Sequence, residues 1–336
     1  MPAGGTIGPE GNGDGHGLAG ALVPTLRRIT EGRLGPVEWF HSTHQRGGAA
    51  TGFSTWTWDS QPPIPVLVKL PVGPAEHRWT TALGACEPAM WQTRASWHSP
   101  TPRVLASGRT LGEYDLGWLI IERLTGPGLH KEVCESSLTA LLRATADFQA
   151  SAIKALPVAE RPQSPDWDKA MAKSREIARA GGVAEGQRWN EAIHQVQRAL
   201  PTLQRRWEAR TINAWCHGDI HPGNAMWRHH DGGEPACVLI DLALVHSGHW
   251  LEDALYLERQ FWGCEKVVGQ LKPVPMLAKL RRERGLPADD HYGELAMIRR
   301  VLMAACGPVL VAREGSVQYL HAALGMIERY LPQVIR

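Results

Sequence analysis

Apolar residues from Leu18 to about Ile29 recur at helical spacing, and the runs that follow are shorter and richer in β-branched and aromatic residues. Those runs are Val37 to Ser42, Gly52 to Trp58, Pro65 to Leu70, Val104 to Ser107 and Leu116 to Ile121. The pattern predicts one helix and then five strands, with the Asp59-Ser60-Gln61-Pro62-Pro63 cluster as the turn between the second and third. From about Leu83 to Trp97 the only break is Pro88, near the start, where a first helical turn tolerates proline, so a helix is predicted between the third and fourth strands.

Beyond Gly126 the periodicity becomes helical, over about 136–155, 166–180, 185–209, 250–262, 275–284, 291–306 and 314–331. Two short apolar runs interrupt it, Ile212 to Cys216 and Val238 to Ile240, each running straight into a polar cluster. The expectation is an α+β chain: a small β-rich lobe with one inserted helix over 18–124, and a larger, mostly helical lobe over 125–336. Residues 1–17 are dominated by glycine, which repays little ordering entropy, and read as a flexible tail.

The two interrupting runs carry the candidate chemistry. The first ends in His217-Gly218-Asp219-Ile220-His221-Pro222-Gly223-Asn224 and the second in Ile240-Asp241. Strand ends followed by Gly/Pro loops hold side chains on a rigid support, where catalytic groups are commonly found. Asp219 and Asn224, five apart, can face a common point, and Asp241 ends a neighbouring strand. A carboxylate that accepts a hydroxyl proton, with oxygen ligands that hold magnesium on phosphates, is what phosphoryl transfer to an alcohol requires.

The segment H-G-D-x-x-x-x-N, followed seventeen residues later by Asp241, resembles the aminoglycoside phosphotransferase family of protein-kinase-like small-molecule kinases. The resemblance implies a bilobal protein-kinase-like fold and a kinase using magnesium and ATP or GTP. It implies Asp219 as the catalytic base and Asn224 and Asp241 as magnesium ligands. His217 would fix the loop, and Asp253, which with Ala254 fits the family's D-L-A element, would brace it. The family also requires a strand lysine paired with a helix glutamate. Lys69, in Val66-Leu67-Val68-Lys69-Leu70, supplies the first. Glu87, eighteen residues on, is preferred for the second over Glu76, which follows Pro74 too soon to lie deep in a helix. Gly47, Gly48 and Thr51 belong to a glycine-rich loop expected over the phosphates. Backbone groups from Glu122 to Leu124 are expected at the adenine edge.

Composition narrows the partners. Lys plus Arg number 36 against 34 Asp plus Glu, with no bulk charge to draw nucleic acid or a membrane surface, and a small-molecule hydroxyl acceptor is expected. Six scattered cysteines without a C-x-x-C pair, and no apolar run of spanning length, suit a cytoplasmic protein with reduced thiols. The absence of any Gly-Lys dipeptide excludes a Walker loop. The alternatives are a catalytically weak kinase-like nucleotide-binding protein and a binuclear-metal phosphoesterase, whose G-N-H-[DE] element is missing. From Gly263 to Arg336 there are eleven Lys/Arg against seven Asp/Glu, a bias toward a neutral or anionic acceptor rather than a polycationic one. Arg281, Arg282 and Arg284 read as a solvated helix face, and Trp250 or Trp262 as a substrate contact.

Overall fold

The computed structural model describes residues 14–40, 49–58, 62–85, 99–158, 162, 164–229, 234–289, 291–311 and 316–335. The chain is mixed α+β, with a small antiparallel sheet lobe and a helical lobe. It divides into two compact units. The first comprises the described residues up to Gly126 together with Trp227–Leu244, and the second Pro127–Met226 with Val245–Arg336. The segment Trp227–Leu244 thus groups with the sheet, where the sequence pattern had put it with the helices.

The first unit opens with α1 (Asp14–Ile29), four residues earlier than the apolar spacing indicated. Five strands follow: β1 (Glu38–Phe40), β2 (Ala50–Trp56), β3 (Ile64–Val72), β4 (Val104–Gly108) and β5 (Gly117–Glu122), in the order β1-β2-β3-β5-β4. Alternation along β3 sends Val66, Val68 and Leu70 to one face, where they pack with Ala19, Leu22 and Leu26 of α1 and with Leu34, Trp118 and Ile120. The other face carries Leu67, Leu119 and Ile121, and Lys69 projects on the same side as Leu67.

The helix between β3 and β4 differs from expectation. α2 runs Pro74–Gly84 with Pro74 in its first turn, and the stretch expected to be helical lies, beyond Ala85, outside the described residues. Proline at the first helical position is pre-shaped for the helix and loses no intrahelical donor, so Pro74 starts α2 rather than delaying it.

After a long gap in sequence, Arg228 returns to this unit at the end of β7 (Ala225–Arg228), which pairs with β8 (Ala236–Leu239). Its guanidinium grips the Glu122 carboxylate through Nε (3.0 Å) and Nη2 (2.7 Å) and bonds the carbonyls of Ser99 and Thr101. Arg103 adds a third bond to Glu122, at 3.0 Å. Burial pushes the Glu122 carboxyl up, but Arg228 and then Arg103 outweigh it and hold the group below its ordinary value. Beyond β8, the single turn Leu242–Leu244 packs on α2.

The second unit is built around α3 (Glu135–Ala155), α4 (Trp167–Arg179), α5 (Gly186–Glu208), α6 (Leu251–Arg259), α7 (Glu265–Val268), α8 (Pro273–Glu283), α9 (Tyr292–Ala305), α10 (Gly307–Val311) and α11 (Val317–Val334). Between α5 and α6, β6 (Ala214–Cys216) pairs antiparallel with β9 (His246–Gly248), and the fully buried β6 ends at His217. Among the described residues no helix is long and apolar enough to cross a membrane.

Removing Arg228 leaves a buried carboxylate short of its main partner, so Arg228→Ala is expected to cost roughly 3–5 kcal/mol in denaturant unfolding. Because the Glu122 pKa is lowered on folding, its contribution is fully present above about 4.5 and is lost as pH falls through the lowered folded value. The urea midpoint of the wild type should therefore fall on acidification below that point, more steeply than that of Glu122→Gln.

Candidate active site

The loop after β6 is shaped by one buried carboxylate. Asp253, in the first turn of α6 and 1% exposed, accepts the backbone N–H of His217 on Oδ2 and that of Gly218 on Oδ1, each at 3.1 Å. Two consecutive N–H groups can converge on one carboxylate because Gly218 takes φ +83°, which a side chain would disfavour. Gln149 of α3 donates to Asp253 Oδ2 (2.9 Å) and accepts from Arg281 Nη1 (2.6 Å). His217 is fully buried, lies edge-on to Phe148 at 5.8 Å, and its Nδ1 accepts the Asp219 N–H at 3.4 Å.

This brace presents Asp219. Asn224 donates Nδ2 to the Asp219 carbonyl and to Oδ2, both at 3.0 Å. The Tyr256 hydroxyl donates to Oδ1. His221 accepts the Gly223 N–H on Nδ1 (3.0 Å), which leaves the Nε2 proton facing Oδ2, 3.6 Å away. The Asp219 carboxyl is held down to about 2. His221 contributes most, Tyr256 and Asn224 add to it, and partial burial pulls the other way. Burial and the neighbouring Asp219 charge raise the Tyr256 phenol. Asp219 is therefore ionised throughout the neutral range, suited to orienting a hydroxyl and taking its proton late.

Asn224 is nearly buried, and both of its side-chain bonds use Nδ2, so Oδ1 remains as a hard oxygen donor. That fits a magnesium ligand. Asp241 belongs to the first unit, is exposed, and takes φ +63°, an uncommon conformation for a residue other than glycine. Lys69 and Glu76 are also in the first unit and are hydrogen-bonded to each other in a largely buried pair. Glu87, the partner the sequence suggested, lies outside the described residues, whereas Glu76 sits in the first turn of α2 and meets Lys69 from there.

Gly47 and Gly48 also lie outside the described residues. Thr51 is not in a loop but inside β2, buried and opposite Lys69 in the β2–β3 register. Glu122 donates its N–H to the Arg103 carbonyl at 2.8 Å and its carboxylate is held by two arginines, so neither is left for a ligand. Two other readings are corrected. Arg281 is fully buried rather than solvated, bonding Gln149 and the Pro287 carbonyl, and Arg284 makes a paired bond to Asp147. Trp250 is fully buried against His249 and Tyr292, so it is a core residue.

Sequence reasoning missed Tyr256. The signal was available, since Asp253 and Tyr256 are three apart on one helix and so share a face.

A strand-end Asp–Asn pair held by a buried aspartate, in a chain whose sheet unit carries a Lys–Glu pair, defines the class of protein-kinase-like phosphotransferases. The model of the phosphotransferase enzyme family matches residues 60–273, and the chain belongs to that family, whose members transfer phosphate to an alcohol group. Among solved structures, a putative aminoglycoside phosphotransferase from Ralstonia eutropha is 14% identical, with 93% of this chain and 98% of that one covered and a TM-score of 0.53. A spectinomycin phosphotransferase in complex with ADP and spectinomycin is 12% identical, with 87% and 88% covered and a TM-score of 0.50. Comparison with curated proteins gives no match.

Asp253→Ala strips the acceptor from two backbone donors and from Gln149, and is expected to cost about 3 kcal/mol of stability. The same variant should lower turnover more than Gln149→Ala, which removes only one of the three donors to that carboxylate. Urea unfolding alongside steady-state kinetics checks both.

Proposed function

We propose that the protein transfers the γ-phosphoryl group of ATP or GTP, with magnesium, to a hydroxyl of a small molecule in the cytoplasm. The observation that carries this is Asp219, a carboxylate kept ionised and aimed by Asn224, His221 and Tyr256 at the end of a buried strand. The acceptor O–H breaks as its oxygen bonds to phosphorus. The bond from phosphorus to the nucleoside diphosphate oxygen breaks, and the proton passes to Asp219.

Asn224 Oδ1 and the Asp241 carboxylate are the groups that would hold magnesium, which when bound would draw charge from the phosphate oxygens. The Lys69 ammonium, steadied by Glu76, would sit on the nucleotide phosphates, and the Glu122 carbonyl with Leu124 would meet the base. The ADP complex of the spectinomycin enzyme supports a nucleotide co-substrate. The described cysteines Cys134, Cys216, Cys237, Cys264 and Cys306 are free thiols, which suits a reducing compartment.

The decisive experiment is a screen of hydroxylated metabolites and antibiotics for ATP-dependent gain of one phosphate by mass. Asp219→Asn should then cut turnover by roughly 10³-fold or more while nucleotide binding stays close to wild type. Near-normal turnover in that variant would remove Asp219 from the chemistry. Asp241→Ala should instead abolish the magnesium dependence of nucleotide binding, read by titration calorimetry with and without the metal. Glu76→Gln should raise the KM for nucleotide, whereas Glu87→Gln should not.

A further inference from the structure

The end of α6 nearest Asp219 carries a cation that no carboxylate answers. Tyr256 places its hydroxyl on Asp219 Oδ1, and the Arg259 guanidinium lies over the Tyr256 ring, 4.3 Å from its centre. Among the described residues no carboxylate comes within ion-pair distance of Arg259, although its neighbours on α8 and α9 are engaged. Arg300 bonds both oxygens of Glu258 at 2.7 Å, Arg284 holds Asp147, and Arg281 bonds Gln149 and the Pro287 carbonyl.

The local acids are correspondingly spent. The Glu252 side chain is 9% exposed and its carboxyl is held down to about 2. Burial works against that shift, while His246, Arg299, Arg210 and the His249 N–H bring it about. Glu258 is taken by Arg300, and Glu265 accepts the Gly263 N–H at 3.1 Å.

A second, independent observation comes from three residues further on. Trp262 is 3% exposed and stacks on Tyr319 with ring centres 5.8 Å apart, and its indole N–H, like those of Trp56, Trp167, Trp207 and Trp250, has no acceptor among the described residues. Tyr319 also feels the charge of Arg259. The Arg259 guanidinium, which contacts Tyr256 and has no carboxylate beside it among the described residues, is the donor here that an anionic group would satisfy.

We propose that Tyr256, Arg259, Trp262 and Tyr319 line an acceptor subsite beside Asp219 for a hydroxylated small molecule that carries an anionic oxygen group, phosphate or carboxylate. The proposal rests on Asp219 being the carboxylate of phosphoryl transfer. In it the Tyr256 hydroxyl shares Asp219 with the acceptor hydroxyl, and Arg259 holds the anionic group one ring away. A polycationic acceptor meets like charge at Arg259, with the nearby Glu252 and Glu258 already committed to arginines.

Titration calorimetry on the full chain loaded with Mg·ADP tests this. The probes are glycerol 3-phosphate and gluconate as anionic polyols, glucose as a neutral one and streptomycin as a cationic one. At least one anionic probe is expected to bind more tightly than glucose and streptomycin. Arg259→Gln should weaken that binding by about tenfold, as expected for loss of a charge-assisted contact, and Arg259→Lys should recover part of it. Melting temperatures of both variants verify that they fold.

Three results overturn the proposal: neither anionic probe binds, glucose or streptomycin binds more tightly than both, or Arg259→Gln binds the anionic probe as tightly as wild type. The phosphotransfer reading fails on a separate measurement, acceptor-dependent ADP formation that survives Asp219→Asn.

Discussion

The second unit depends on where one negative charge is buried. Asp253 is cut off from water, and its carboxylate is satisfied by two backbone N–H groups and an amide rather than by a cation at close range. A carboxylate so placed dictates the path of the chain, because moving either His217 or Gly218 would leave a buried charge short of donors. Once that turn is set, Asp219 follows as the next residue, and the Asn224 side chain closes the loop onto its carbonyl and its carboxylate. Gln149 ties the same carboxylate to α3 and, through Arg281, to α8, so three helices hold the position of one strand end.

The first unit solves a different problem, that of keeping a lysine in the middle of a strand without leaving it on a solvated face. Lys69 alternates out of the core that α1 covers, and α2 supplies Glu76 on the other side of the sheet. The turn after Asp241 packs on that same helix, so the lysine partner and the exposed carboxylate are supported by one element. Asp241 pays with a left-handed backbone, and strain of about 1–3 kcal/mol at a polar residue persists only where the surroundings impose it.

Charge in this protein is arranged rather than accumulated. A count of basic residues near the C-terminus suggests a field, but Arg281, Arg284 and Arg300 are consumed by internal contacts and contribute little to one. Arg259 instead lies over the Tyr256 ring with no carboxylate beside it among the described residues. Pairing, which depends on neighbours far apart in sequence, decides which arginine is available to a ligand.

The order of elements, the α+β class and the polar clusters at two strand ends were legible from the sequence, because alternation and helical spacing are local consequences of burying one face of each element. Asp219, Asn224 and Asp241 stood out as polar groups at strand ends, and His217 and Lys69 through the resemblance to a kinase family. The pairing of Lys69 with Glu76, the place of Thr51 inside β2, the burial of Arg281 and Trp250, and the reach of Tyr256 to Asp219 were decided only by tertiary structure. Each turns on which groups lie across a gap in sequence, and neither propensity nor periodicity carries that information. The sequence alone determined which residue types were offered to phosphate chemistry, and packing determined which charges were left over to use.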